Sequence, residues 1–153
     1  MHGDIEFTLL HEDFPVFGSK LGDLLAYSVK DGVLTLLPTS QLPGPEIKQV
    51  WCFDPNAKAW RVDIMIVGGT QDVWVYKREC SVRFPRADRV RFSSEGVSCL
   101  RPAATLLFKA RHTQPKDEID FYRTLPTLPD VEVAWLKTHL ISLHPGHEWL
   151  WHL

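Results

Sequence analysis

Asp4 and Glu6 stand either side of Ile5 in the opening segment His2-Gly3-Asp4-Ile5-Glu6-Phe7. On a strand that spacing sends both carboxylates from one face, about 7 Å apart along the chain. Two such acids repel each other unless a cation or a basic group lies between them. Paired carboxylates of this kind hold Mg²⁺ in two-metal sites, where the ions clamp a triphosphate and the attacking hydroxyl. The ordinary alternative is a solvated strand edge, where alternating acids discourage association. A third acid, Asp63, lies within Trp60-Arg61-Val62-Asp63-Ile64-Met65-Ile66-Val67. Its neighbours are residues that expect burial. Asp63 is therefore either a further metal ligand and general base beside Asp4 and Glu6, or an acid paired with Arg61 or a lysine on a half-exposed sheet face.

Other clusters point less clearly to chemistry. Gly68-Gly69-Thr70 follows the Asp63 strand and has no paired acids behind it, so it reads as a hairpin turn that needs positive φ rather than a phosphate-binding loop. His139, His144, His147 and His152 have no cysteine nearby, and Pro145 separates them, which argues against a zinc set. Cys52, Cys80 and Cys99 are scattered and odd in number, as reduced thiols are. Trp135, Trp149 and Trp151 suit packing at the C-terminal end, with both tail tryptophans expected to be buried.

The elements that must position these residues follow from periodicity and punctuation. Asp4 to Leu10 alternates as a strand, and Phe14, Phe17, Leu21, Leu24 and Leu25 recur at helical spacing behind Asp13. Tyr27 to Leu37 is a hairpin about Asp31-Gly32. Gln49 to Phe53 and Trp60 to Val67 form a second hairpin through Asp54-Pro55-Asn56, and Asp72 to Lys77 continues as a strand. One or two short strands are expected within Ser81 to Phe92. Helices are expected from Pro102 to about His112, from Lys116 to Leu125 and from Asp130 to Leu143, the last burying Val133, Leu136, Leu140 and Leu143. Strands followed by helices, without a repeat or linker, describe one α+β domain over residues 1–153.

Composition limits the partners. Seventeen Lys and Arg against nineteen Asp and Glu give a formal charge of −2, which supplies no general attraction to nucleic acid or to an anionic membrane. No apolar run reaches the roughly 20 residues that span a bilayer, and Met1-His2-Gly3-Asp4 is unlike a signal peptide. A cytoplasmic location is expected.

His2-Gly3-Asp4-Ile5-Glu6-Phe7 resembles the H-x-D-h-[DE]-h segment of nucleotidyltransferases related to aminoglycoside 2''-nucleotidyltransferases (adenylyltransferases), in which two strand acids bind catalytic metals. Further blocks look similar across nearly the whole chain: Val50-Trp51, Trp60-Arg61-Val62-Asp63, Trp74-Val75-Tyr76-Lys77-Arg78, Leu106 to His112, Lys116 to Phe121, and Pro145 to Leu150. The resemblance implies a mixed β-sheet of nucleotidyltransferase type with helices packed on it and a helical C-terminal half. It implies Mg²⁺ on Asp4, Glu6 and Asp63, with Asp63 also activating the acceptor hydroxyl. Lys109, Lys116 and Asp117 would face the nucleoside triphosphate, ATP by expectation, although Lys116 and Asp120 also suit a plain surface ion pair. The implied reaction moves a nucleoside monophosphate to a hydroxyl of a small molecule or a protein. Relatives place a strand, a glycine turn and a helix before the paired acids to hold the triphosphate. This chain opens at the acids, so it is expected to be truncated relative to the family. The alternative is a catalytically inactive module of the same fold that binds a ligand or partner, as a homodimer that covers the exposed sheet edge.

Overall fold

Asp31 and Gly32 both take positive φ, 49° and 77°, in the turn that the Asp-Gly dipeptide predicts. Around it, β2 (Leu25–Lys30) and β3 (Val33–Leu36) pair antiparallel, with Tyr27 opposite Leu36 and Lys30 opposite Val33. The computed structural model of the chain describes residues 5–153, so the sequence expectation for Asp4 lies outside the described residues. They form two compact units, one ending at Phe84 and the other spanning Pro85–Leu153.

The first unit is built on a five-stranded sheet of order β1-β5-β4-β2-β3, with β1 at Ile5–Leu10, β4 at Gln49–Asp54 and β5 at Ala59–Val67. β1 runs parallel to β5, and the other neighbours are antiparallel. Asp54 closes the β4–β5 hairpin by accepting the backbone N–H groups of Asn56 and Ala57 at 2.9 and 3.0 Å, which is why Asp-Pro-Asn marks the turn. One face of the sheet buries Ala26, Val50, Cys52, Ile64 and Ile66 together with Phe14 and Leu21. Phe14 seats the short helix α1 (Phe14–Gly18) on this core. The helical spacing expected as far as Leu25 does not hold, because Leu25 already opens β2. Pro15 starts α1, and after Gly18 the chain turns through hydrogen bonds of Lys20 N–H to Phe17 and Leu21 N–H to Gly18.

Gly69 has φ of 104°, and a Cβ there would collide with the carbonyl oxygen of Val73, so the Gly68-Gly69-Thr70 segment is the tight turn expected of it. Thr70 Oγ1 accepts the N–H groups of Asp72 and Val73, and a short β6 (Val73–Val75) follows, paired with β7 (Arg83–Pro85).

In the second unit, a one-turn helix α2 (Arg86–Arg89) leads into β8 (Val90–Phe92), which pairs antiparallel with β9 (Ser98–Leu100). Three helices then follow: α3 (Pro102–Lys109), α4 (Pro115–Thr124) and α5 (Asp130–Leu143). Proline at the first turn of α3 and α4 starts each helix where a missing N–H costs least. α5 has the expected bounds, but its buried face is Glu132, Trp135, Leu136 and Leu140. Val133 and Leu143 are only partly covered. The buried face rotates because Glu132 is drawn inside by Arg89, with bonds of 3.1 and 3.0 Å between guanidinium and carboxylate.

The tail docks through one tryptophan only. Trp149 is fully buried, stacks on Phe121 with ring centroids 4.4 Å apart, and donates Nε1–H to Glu118 at 3.0 Å. Trp151, expected to be buried, is instead 85% exposed. His147 Nδ1 accepts the Trp149 N–H at 3.1 Å and its Nε2 lies 3.2 Å from Thr113 Oγ1, so this histidine is a cap for the tail. Among the described residues no helix is long and apolar enough to cross a membrane.

Candidate functional site

The parallel pairing of β1 with β5 sets Glu6 opposite Asp63. Since neighbouring residues in register share a face, both carboxylates belong to the side of the sheet away from the buried core of Ile64 and Ile66. Glu6 is exposed and Asp63 half-buried. The sequence pattern thus brings these acids together from segments more than fifty residues apart, which a hairpin could not do.

β4 completes the surroundings. Trp51 sits directly opposite Asp63, and Gln49 is its diagonal neighbour. The Gln49 side-chain amide donates to both Asp63 oxygens, at 2.9 and 2.8 Å. Asp63 is therefore satisfied by Gln49 and not by Arg61, which pairs with Asp54 at 3.5 Å. The reason is the irregularity between Cys52 and Phe53, which leaves Arg61 without a partner in the β4–β5 register.

Lys77, just beyond β6, donates to the carbonyl of Lys48 at 3.1 Å. Burial lowers its pKa, while the charges of Asp63 and Glu6 oppose that shift. The charges of Arg78 and Lys48 add to the lowering, so Lys77 feels cations as well as the two acids. Beside these acids, the ring of Trp60 meets those of Phe53, Trp51 and Tyr27 with centroids 5.1, 5.6 and 5.6 Å apart. Trp51 Nε1 is buried among them with no hydrogen-bond partner. The face thus offers an acidic cluster bordered by an aromatic wall, able to hold a hard cation through oxygen or to stack a planar group.

Gln49 and Lys77 had no assigned role at the level of sequence. Gln49 could have been found from the hairpin register, which places it two residues from the position opposite Asp63. Lys77 follows Trp74, Val75 and Tyr76, which are all buried, a position where a basic residue wants an acidic partner.

The nucleotide-facing residues implied by the resemblance lie in the second unit. Lys109 Nζ bonds Asp117 at 2.6 Å and Asp120 at 2.8 Å. Asp117 is buried and also accepts the Gln114 N–H at 3.0 Å, fixing the start of α4. Its burial favours the neutral acid, but the bonds from Lys109 and Gln114 outweigh this and leave its pKa lowered. Lys109 is shifted up, burial being outweighed by the two carboxylates. Asp120 thus takes Lys109 as its partner in place of the expected Lys116, which is exposed. Lys109 and Asp117 are committed to each other, a structural arrangement that a ligand would have to break.

Comparison with protein-family models, with curated proteins and with solved structures gave no match. The fold itself is mixed α+β, with a mixed five-stranded sheet and α-helices.

Proposed function

We propose that the Glu6–Asp63 face is the metal-binding face of a nucleotidyltransferase-like chain that moves a nucleoside monophosphate from a nucleoside triphosphate, ATP by expectation, to a hydroxyl of a small molecule or protein. The observation that carries this reading is the register of Glu6 against Asp63. Two carboxylates on one face, one exposed and one half-buried, are the hard oxygen donors that Mg²⁺ selects, so the residues fit the ion. Mg²⁺ would supply charge neutralisation at the phosphoryl group. Glu6 and Asp63 would hold it, with Asp4 as the third acid of the motif. Asp63 would also accept the proton of the acceptor hydroxyl, once the Gln49 amide has left its oxygens. Lys77 would keep the two acids from repelling each other while the site is open. The roles that the resemblance gives to Lys109, Lys116 and Asp117 add no support, since Lys109 and Asp117 already satisfy each other.

The two hydrogen bonds from Gln49 favour a second reading. An Asp63 held by both oxygens is an inert anchor in a module that binds a ligand or a partner without catalysis. Manganese, whose paramagnetism reports binding directly, separates the two. The enzyme reading expects saturable Mn²⁺ binding, enhanced by ATP and weakened at least about tenfold by Asp63→Asn with little change in melting temperature. Equal affinity in wild type and variant, or none in either, leaves the binding module.

A further inference from the structure

The second unit has a cavity of about 330 Å³ that the reading of Asp63 does not use. Its charged lining is Arg91, Arg101 and Glu132. Glu132 is neutralised from behind, because both its oxygens bond the Arg89 guanidinium, which is itself fixed 4.3 Å over the Trp135 ring. Arg91 and Arg101 have no such carboxylate: neither enters an ion pair among the described residues. Arg101 makes one long side-chain bond, 3.4 Å to the carbonyl of Ala87, and its Nε is buried without a hydrogen-bond partner. That nitrogen is closed off from the cavity, so an oxyanion there would be met by the terminal guanidinium nitrogens, which carry only the one long bond.

The rest of the wall is apolar or already bonded. Pro102, Leu128 and Pro129 contribute ring and side-chain carbon. Thr127 gives its hydroxyl proton to the carbonyl of Thr124 at 2.7 Å, so its oxygen offers lone pairs only. The main-chain N–H of Arg101 is held by the Arg89 carbonyl at 2.8 Å, which anchors this side chain beside the buried Arg89–Glu132 pair. The arrangement has a rigid base and two uncompensated positive charges.

We infer that this cavity is an anion site for a small phosphate-bearing molecule, gripped by Arg91 and Arg101. Two guanidiniums with no acid of their own match a phosphate monoester, which carries about −1.5 to −2 charges, better than a single carboxylate. The planar fork of arginine suits two phosphate oxygens at once. The volume lies near the lower end of the roughly 300–1,000 Å³ of ligand pockets, room for a phosphate with a small apolar body and not for a polymer. The proposal is independent of any role for Glu6 and Asp63.

Inorganic phosphate and pyrophosphate, titrated into the isotope-labelled full chain at low ionic strength, are the probes. Saturable amide shifts in Arg101, its non-proline neighbours, Thr127 and Leu128 are expected, with one site per chain. Arg91→Gln and Arg101→Lys should each weaken binding about tenfold, the second because it keeps the charge and loses the fork. Arg123→Gln, at an exposed arginine of α4 that does not line the cavity, should bind as wild type. Acetate, tested in parallel, should bind more weakly than phosphate. Non-saturating shifts, unchanged affinity in Arg91→Gln or Arg101→Lys, equal loss in Arg123→Gln, or acetate binding as tightly as phosphate overturns the inference. Should Arg101→Lys fail to fold, the exposed Arg91 carries the test alone.

Discussion

Across the β4–β5 pair, the Gln49 side-chain nitrogen lies 2.9 and 2.8 Å from the two Asp63 oxygens, so one amide N–H is shared between them. The bond orients Asp63 and competes with any cation for its oxygens, each of which keeps a further lone pair. Hydrogen bonds to a charged group are worth about 1.5–3 kcal/mol, less where water can compete. Gln49→Ala should therefore lower stability by only about 1 kcal/mol in this half-buried setting. If Asp63 is a metal ligand, the same change should tighten Mn²⁺ binding severalfold, because the ion no longer competes with the amide. Paired thermal melts and Mn²⁺ relaxation measurements check both parts. Tighter melting with weaker metal binding would show Gln49 acting in some other way.

Arg89 and Glu132 form a buried ion pair, each 6% exposed and joined at two points. Removing one partner of such a pair strands a buried charge and costs about 3–5 kcal/mol. Arg89→Met should fall in that range by chemical denaturation, and so should Glu132→Gln, which leaves the buried Arg89 charge unbalanced and sets an amide N–H against one guanidinium N–H. The double change Arg89→Met with Glu132→Leu should recover much of the loss, as replacing a buried ion pair by apolar side chains often does. A double variant as unstable as Arg89→Met alone would show that the pair is needed for more than charge balance.

The pair Lys109–Asp117 makes stability depend on pH. Asp117 has a lowered pKa in the folded chain, so its contribution is present above the unfolded value, near 3.9, and is lost as pH falls through the lower folded value. Lys109 is shifted up, so its part is present below about 10.4 and is lost as pH rises through the higher folded value. The melting temperature should be flat between these limits as far as this pair is concerned, and fall below about pH 4. Asp117→Asn should lower the plateau and make the acid limb shallower. An acid limb as steep in the variant as in the wild type would move that pH dependence to other carboxylates.

Most of the framework was legible where local rules decide it. Asp31-Gly32 announced its turn, Pro102 marked a helix start, and α5 was bounded by Asp130 and Leu143. The register of Glu6 against Asp63 depends on a parallel pairing that no local pattern encodes. What escaped were relationships set by register or by long-range charge. Gln49 reaches Asp63 diagonally, Arg61 is turned to Asp54 by an irregular step in the hairpin, and Glu132 enters the core only because Arg89 arrives from α2. Trp151 shows the same limit, since an aromatic side chain near a chain end expects burial but only Trp149 found a stacking partner.

The cysteines provide a probe of the acidic face from its reverse side. Cys52 is fully buried in the sheet core, one residue from Trp51, whereas Cys80 and Cys99 are exposed. Burial, with the charge of Asp63 as a second cause, pushes the Cys52 thiol up to about 11. At pH 8 only about one Cys52 in a thousand would be thiolate even if reagent could reach it. A disulfide reagent should accordingly titrate two thiols of the native chain quickly and the third at the rate of unfolding. Asp63→Asn removes the smaller of the two causes, so it should ease the Cys52 shift slightly while burial still keeps the thiol silent. Fast reaction of Cys52 in the folded variant would mean that Asp63 holds the sheet closed over its core, a structural duty that the metal-binding reading does not give it.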